Sequence, residues 1–245
     1  MPFIEQTAFF EMFDRILAQP MPADVRWPTS TPVPALWAPI HDRYVGNYLC
    51  PSDGMGEKFY PMIPNNFNLY KVNYLPFTNG ICEKDMWSEI CPNQTFEGAT
   101  FQAKLRGAFI PRRWRTMSIF TDGLSNSLVY SEFLTGEKPE RGYGVPWSIR
   151  SGFDMIDAGA TPNSSTPDNQ PTYVGFCGPG ENLPELNLPC TVVADDGSSS
   201  AAARSRHTGG VNGAKGDGSV MFISQSVDLG IYRSTVYISD GNSGL

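Results

Sequence analysis

The chain has 245 residues, enough to bury a substantial core, and a formal net charge of −7. Hydrophobic residues make up 40% and charged residues only 18%, while glycine (24) and proline (21) are abundant. That composition argues against a helical bundle and against chain-wide disorder, and the acidic balance argues against a nucleic-acid binder.

The N-terminus reads as a docking helix over 1–18. Pro2 suits a first helical position, and Ile4, Phe9, Phe13, Ile16 and Leu17 recur at helical spacing. An extended, proline-rich connector over 19–40 follows, because Pro20, Pro22, Pro28, Pro32, Pro34 and Pro39 each remove a donor and disfavour helix. The remainder, 41–245, reads as a β-rich head. Candidate strands are 44–49, 69–75, 116–121, 127–133, 172–176, 190–194 and 219–224, and 232–239 reads as a terminal strand or a short helix. Arg112-Arg113-Trp114-Arg115 reads as a solvated strand end. The segment 154–171 reads as an exposed loop and 197–205 as a mobile small-residue stretch. No run of about 18 apolar residues is present, so no transmembrane helix is expected, and no secretory signal is recognised.

Five cysteines occur, none in a Cys-x-x-Cys pair and none at zinc-ligand spacing from a histidine, so no structural zinc site is expected. Two local pairings, Cys82 with Cys91 and Cys177 with Cys190, could staple loops that lack a core of their own. The alternative is five reduced, mostly buried thiols. Oxidised pairs would mark an exported protein. Asp-Gly recurs at Asp53-Gly54, Asp122-Gly123, Asp196-Gly197, Asp217-Gly218 and Asp240-Gly241, where glycine supplies positive φ and aspartate closes a turn. Calcium also favours such turns, and Asp195 with Asp196 are the candidates for it; no other cofactor is expected.

Only His41 and His207 could serve as a catalytic base. No nucleophile elbow, Walker loop, zinc-protease motif or dinucleotide fingerprint accompanies them. His207, with Ser205 before it and Asp217-Gly218 after it, reads as the fastening of a β-hairpin, its ring bonded to a carbonyl or a carboxylate. Gly213, Ala214, Lys215 and Gly216 make the first strand of that hairpin weak or edge-like.

Five ordered segments carry a resemblance: Pro2-Phe3-Ile4-Glu5-Gln6; Leu49-Cys50-Pro51-Ser52-Asp53; Val72-Asn73-Tyr74; Phe120 to Ser127 with Ser131-Glu132; and His207, nine residues, Asp217-Gly218. Together they resemble bacterial type IV pilin-like proteins of the type II secretion pseudopilin G-like kind, a domain of unknown function with a C-terminal histidine and Asp-Gly signature. The resemblance implies an α+β pilin-like headpiece: an N-terminal helix packed on an antiparallel β-sheet, with long Gly/Pro-rich loops. It implies a non-catalytic structural subunit of an envelope filament, exported to the periplasm or cell surface. Its partners would be other pilin-like subunits or secretion machinery, reached through a preceding apolar helix that is also the membrane segment. His207, Gly210, Asp217, Gly218, Asp122, Gly123, Ser125 and Asn126 would be structural motif residues, with Ser125 and Asn126 bonding nearby backbone. Two alternatives compete. One is an extracellular solute-, glycan- or cation-binding module with Trp87, Trp114, Tyr143 and Trp147 as an aromatic platform. The other is a hydrolase using His207.

Overall fold

The computed structural model describes residues 45–54, 58–62, 67–78, 116–138, 142–145, 151–171, 180–193 and 199–239, with short pieces elsewhere, among them Glu11, 107–109, 177–178 and Gly241. The docking helix and connector of 1–40 lie outside the described residues, Glu11 excepted. So do His41, Cys82, Cys91, Trp87, Arg112 to Arg115, Trp147, Asp195, Asp196 and the strand expected at 172–176.

Ten strands are described: β1 Phe59–Met62, β2 Phe67–Tyr70, β3 Tyr74–Pro76, β4 Thr95–Phe96, β5 Ala99–Thr100, β6 Leu128–Glu132, β7 Asp168–Pro171, β8 Cys190–Val193, β9 Gly210–Lys215 and β10 Val220–Ser224. Among the described residues one α-helix has both ends described, α1, spanning Leu229–Val236. The fold is α+β. Its centre is a four-stranded antiparallel sheet in the order β10-β9-β6-β3. Three two-stranded sheets are also described, β1 with β2, β4 with β5, and the parallel pair β7 with β8.

The alternation of the strands decides what is buried. On the inner face Leu75, Leu128, Val211 and Ile223 pack with Phe77, Phe133, Ile156, Tyr232 and Val236. The rings of Phe77 and Tyr232 meet edge to face, 6.1 Å between centroids. A bulge between Leu128 and Tyr130 turns the end of β6 over. Tyr130 and Glu132 therefore follow Leu128 in sequence but point to the opposite face. On that outer face β10 leaves Val220 (70%) and Phe222 (51%) exposed. Helix α1 starts where the Asp228 carboxylate accepts the Ile231 amide at 3.0 Å, a side-chain N-cap. Arg233 pins the helix by donating to the carbonyls of Ala158 and Gly159.

Several sequence expectations are corrected. Within 44–49 the described residues hold a 3-10 turn at Gly46–Tyr48, and 116–121 holds another at Met117–Ile119. Both are short i→i+3 turns, so their apolar side chains do not alternate across a sheet. The run 69–75 is split between β2 and β3, which belong to different sheets. The first hairpin strand, β9, is not an edge: it lies between β10 and β6. Its glycine is there to let the core close, since a Cβ on Gly213 would stand 2.7 Å from Leu128 Cδ1 and 2.8 Å from Ile223 Cδ1.

The segment 154–171 is not an exposed loop. It carries β7, and Asp157, Ala158, Asp168 and Gln170 are buried. Nor are the described residues of 197–205 free of the core. Ser199, Ala201, Ala202, Ala203, Arg204 and Ser205 are all buried. Their small side chains let the backbone pass close to its neighbours, which take up its amides. Ala201 donates to Asp157 (2.8 Å), Ala202 to Asp168 (3.0 Å) and Arg204 to the Glu132 carbonyl (2.8 Å). Arg204 itself is 0% exposed and forms a two-pronged ion pair with Asp168, at 2.7 and 2.8 Å. Its remaining donors go to the carbonyls of Ser164, Thr166 and Asn187. Cys177 and Cys190 form a disulfide, one of the two local pairings considered. Cys50 is buried and outside any disulfide.

Candidate functional site

His207 and Asp217 do not meet. They flank β9 at opposite ends, roughly 20 Å apart for a six-residue strand with its flanking turns. Each end carries its own fastening, and each fastening is assembled from the motif residues of other segments.

At the Asp217 end the hairpin turns through Gly216 to Gly218. Gly218 has φ +87°, and its amide reaches the Lys215 carbonyl at 3.0 Å. The Asp217 carboxylate accepts the Ser219 hydroxyl (2.7 Å) and amide (2.9 Å), which hold it below the usual carboxylate range. The Asp122-Gly123 turn lies alongside, joined where Gly216 donates to the Ser127 carbonyl at 2.9 Å. Gly123 has φ +96°. Asn126 Nδ2 donates back to the Asp122 carbonyl at 2.8 Å, and the Asp122 carboxylate accepts the Gly241 amide at 3.1 Å. Ser125 does not share this role: it is exposed and makes no such bond among the described residues. The hydroxyl that does so belongs to Ser127, which donates to the Gly123 carbonyl at 3.0 Å.

At the other end the centre is Glu132, only 2% exposed. The bulge in β6 puts it on the outer face, opposite Tyr74 in the register of β3. One carboxylate oxygen, Oε2, accepts the Asn212 amide of β9 at 2.7 Å. The other, Oε1, accepts Asn212 Nδ2 at 3.1 Å and lies 3.0 Å from His207 Nε2. His207 is held on the turn before β9 by its own amide, which donates to Ser205 Oγ, while Ser205 Oγ donates to the Gly210 carbonyl. Asn163 Nδ2 donates to the same Gly210 carbonyl.

Cys50, 7% exposed, closes the cluster. Its Sγ lies 3.7 Å from His207 Nε2 and 3.8 Å from Glu132 Oε1. Its amide donates to Asn73 Oδ1 at 3.0 Å. Burial first, then the nearby Cys50 and Glu132, push the Tyr74 phenol up to about 12. Behind Cys50, Asp53 is more than a turn residue. Its Oδ2 accepts Lys58 Nζ (2.9 Å), Asn73 Nδ2 (2.6 Å) and both the amide and hydroxyl of Thr135. Burial alone would raise this carboxyl, but the Lys58 charge with the Asn73 and Thr135 donors outweighs it and holds it low.

The Cys-Pro-Ser-Asp, Asn-Tyr, Ser-Glu and histidine segments thus converge on one point. Sequence reading singles out His207 but does not join it to Cys50, Glu132, Asn73 and Asn212, although all of these lie within the quoted segments. Tyr143, offered as part of an aromatic platform, is instead buried against Phe133, with centroids 5.9 Å apart. An open depression of about 500 Å³ is lined by Ser52, Gly54, Gly56, Glu137 and Arg206, sequence neighbours of the cluster rather than its members. Among the described residues no helix is long and apolar enough to cross a membrane.

The molecule is therefore an α+β protein whose central strand pair is fastened at both ends by residues from distant segments. Residues 1–230 match the model of a family described as a protein of unknown function, DUF1559, and the chain belongs to that family. No curated protein and no solved structure matches it.

Proposed function

We propose that this chain is the non-catalytic globular head of a pseudopilin-type subunit, exported and carried on an envelope filament of the type II secretion kind. The supporting family link is that DUF1559 is often associated with type II secretion pseudopilin-like proteins. The observation that carries the reading is where the motif side chains go. Asp53, Asn73, Asp122, Asn126, Glu132 and Asp217 bond backbone or one another, some within a turn and some between distant segments. They work as fasteners of the fold. Its partners in this reading are other subunits of the same filament.

The test is cross-linking of the full-length protein in its own cells, followed by fractionation. The expected result is an envelope fraction containing a ladder of multiples that disappears when prepilin processing is blocked. A lone cytoplasmic monomer would defeat the proposal.

The proximity of a thiol to an imidazole favours a second reading, a hydrolase in which Cys50 is the nucleophile and His207 its base. In a relay, however, the carboxylate orients the base through the nitrogen that does not face the nucleophile. Here Nε2 faces both Cys50 and Glu132. Loss of a measured hydrolytic activity in Cys50→Ser would establish the second reading.

A further inference from the structure

We propose that Cys50, Glu132 and His207 form a mononuclear site for a borderline-soft divalent cation of the zinc class. The inference is independent of the filament reading. Each residue offers one donor atom, and Sγ, Oε1 and Nε2 lie within 4.8 Å of one another. A tetrahedral zinc would space sulfur from nitrogen or oxygen by about 3.5 Å, and nitrogen from oxygen by about 3.3 Å. The observed separations are 3.7, 3.8 and 3.0 Å, so each edge needs to change by only about 0.3 Å or less. One nitrogen facing both the thiol and the carboxylate defeats a proton relay, yet it is what a shared ion requires.

The donors are also held from behind. Glu132 Oε2 is fixed by the Asn212 amide, the Cys50 amide by Asn73, and the His207 amide by Ser205. Binding forms a metal–sulfur bond and releases the thiol proton to solvent. The resulting thiolate and carboxylate neutralise the charge of a divalent ion, which suits a site where Cys50 and Glu132 are buried. His207, whose side chain is part exposed, gives a hydrated ion its approach. A fourth position is left for water. Sulfur and nitrogen donors disfavour calcium and magnesium. The ion would tie together three segments, with Cys50 and His207 each more than seventy residues in sequence from Glu132.

The test uses the whole chain, chelator-treated with its Cys177–Cys190 disulfide intact, titrated with cobalt(II) and then zinc. Expected are one equivalent of cobalt, a thiolate-to-cobalt charge-transfer band, and loss of that band when zinc is added. At a hundredfold excess over Kd, zinc should raise Tm by about 5–10 °C, whereas calcium should not. The band should vanish in Cys50→Ser and survive in Cys82→Ser/Cys91→Ser. Zinc should also slow alkylation of the Cys50 thiol in the unaltered chain at least tenfold, a measurement that needs no variant to fold. Absence of the band, its persistence in Cys50→Ser, or an unchanged alkylation rate would overturn the proposal.

Discussion

Replacing Arg204 with methionine leaves the Asp168 carboxylate buried without its partner charge. The guanidinium makes five hydrogen bonds, two to Asp168 and three to carbonyls of Ser164, Thr166 and Asn187. Methionine matches the stem but supplies no donor. Only the Ala202 amide then remains among the bonds described to Asp168, and three carbonyls lose a donor. Breaking a buried pair on one side costs about 3–5 kcal/mol. At roughly 2–4 °C per kcal/mol for a chain of this size, Tm should fall by about 6–20 °C. The assay is urea and thermal unfolding followed by circular dichroism. Two comparisons isolate the cause. Lys138→Ala removes a partly exposed pair with Glu181 and should cost about 1 kcal/mol or less. The double variant Arg204→Met/Asp168→Leu removes both charges and should recover much of the loss. If Arg204→Met alone costs under about 1 kcal/mol, the segment 199–205 is not anchored as described.

Burial raises the Asp157 carboxyl to about 7 despite the amides of Ala201 and Gly159 that it accepts. Between about pH 4 and 7 the folded state therefore holds a proton that the unfolded state has released, so stability falls as pH rises through that window. Relative to Asp157→Asn, the unaltered chain should lose up to about 4 kcal/mol across it, and a pH-independent difference would reject the assignment. Gly144 has φ +75°, and a Cβ there meets the Val72 carbonyl, so Gly144→Ala should cost more than about 2 kcal/mol by urea melt. His207→Ala, measured without added metal, should lower stability by about 1–2 kcal/mol, because Glu132 loses one of its donors while keeping Asn212; an unchanged melt would place His207 outside the fastening.

What sequence could and could not reveal follows from the range of the interactions. Strands β6, β8 and β10 lay within runs of β-formers bounded by turns, and those signals are local. β1 and β7 hold Pro61 and Asp-Asn-Gln-Pro, whose polar and proline content hides a strand until its partner is known. The Ser/Ala run reads as mobile because small residues offer no hydrophobic signal. Its order comes from Asp157, Asp168 and Glu132, all far away in sequence. The same holds for the candidate site. Cys50 and His207 are 157 residues apart, and no spacing rule joins them. Gly213 misled for a further reason: glycine weakens an isolated strand, yet here it clears the space that Leu128 and Ile223 occupy.

The central place of β9 bears on how the polypeptide comes together during synthesis. Until Gly210–Lys215 emerges, β6 can pair only with β3, and β10, which follows β9 in the chain, is still unmade. A nascent chain stalled short of that stretch exposes a raw margin of unmatched amides and carbonyls to whatever strand drifts past. Sheet completion is thereby deferred until β9 and β10 have both been made, long after β3 and β6.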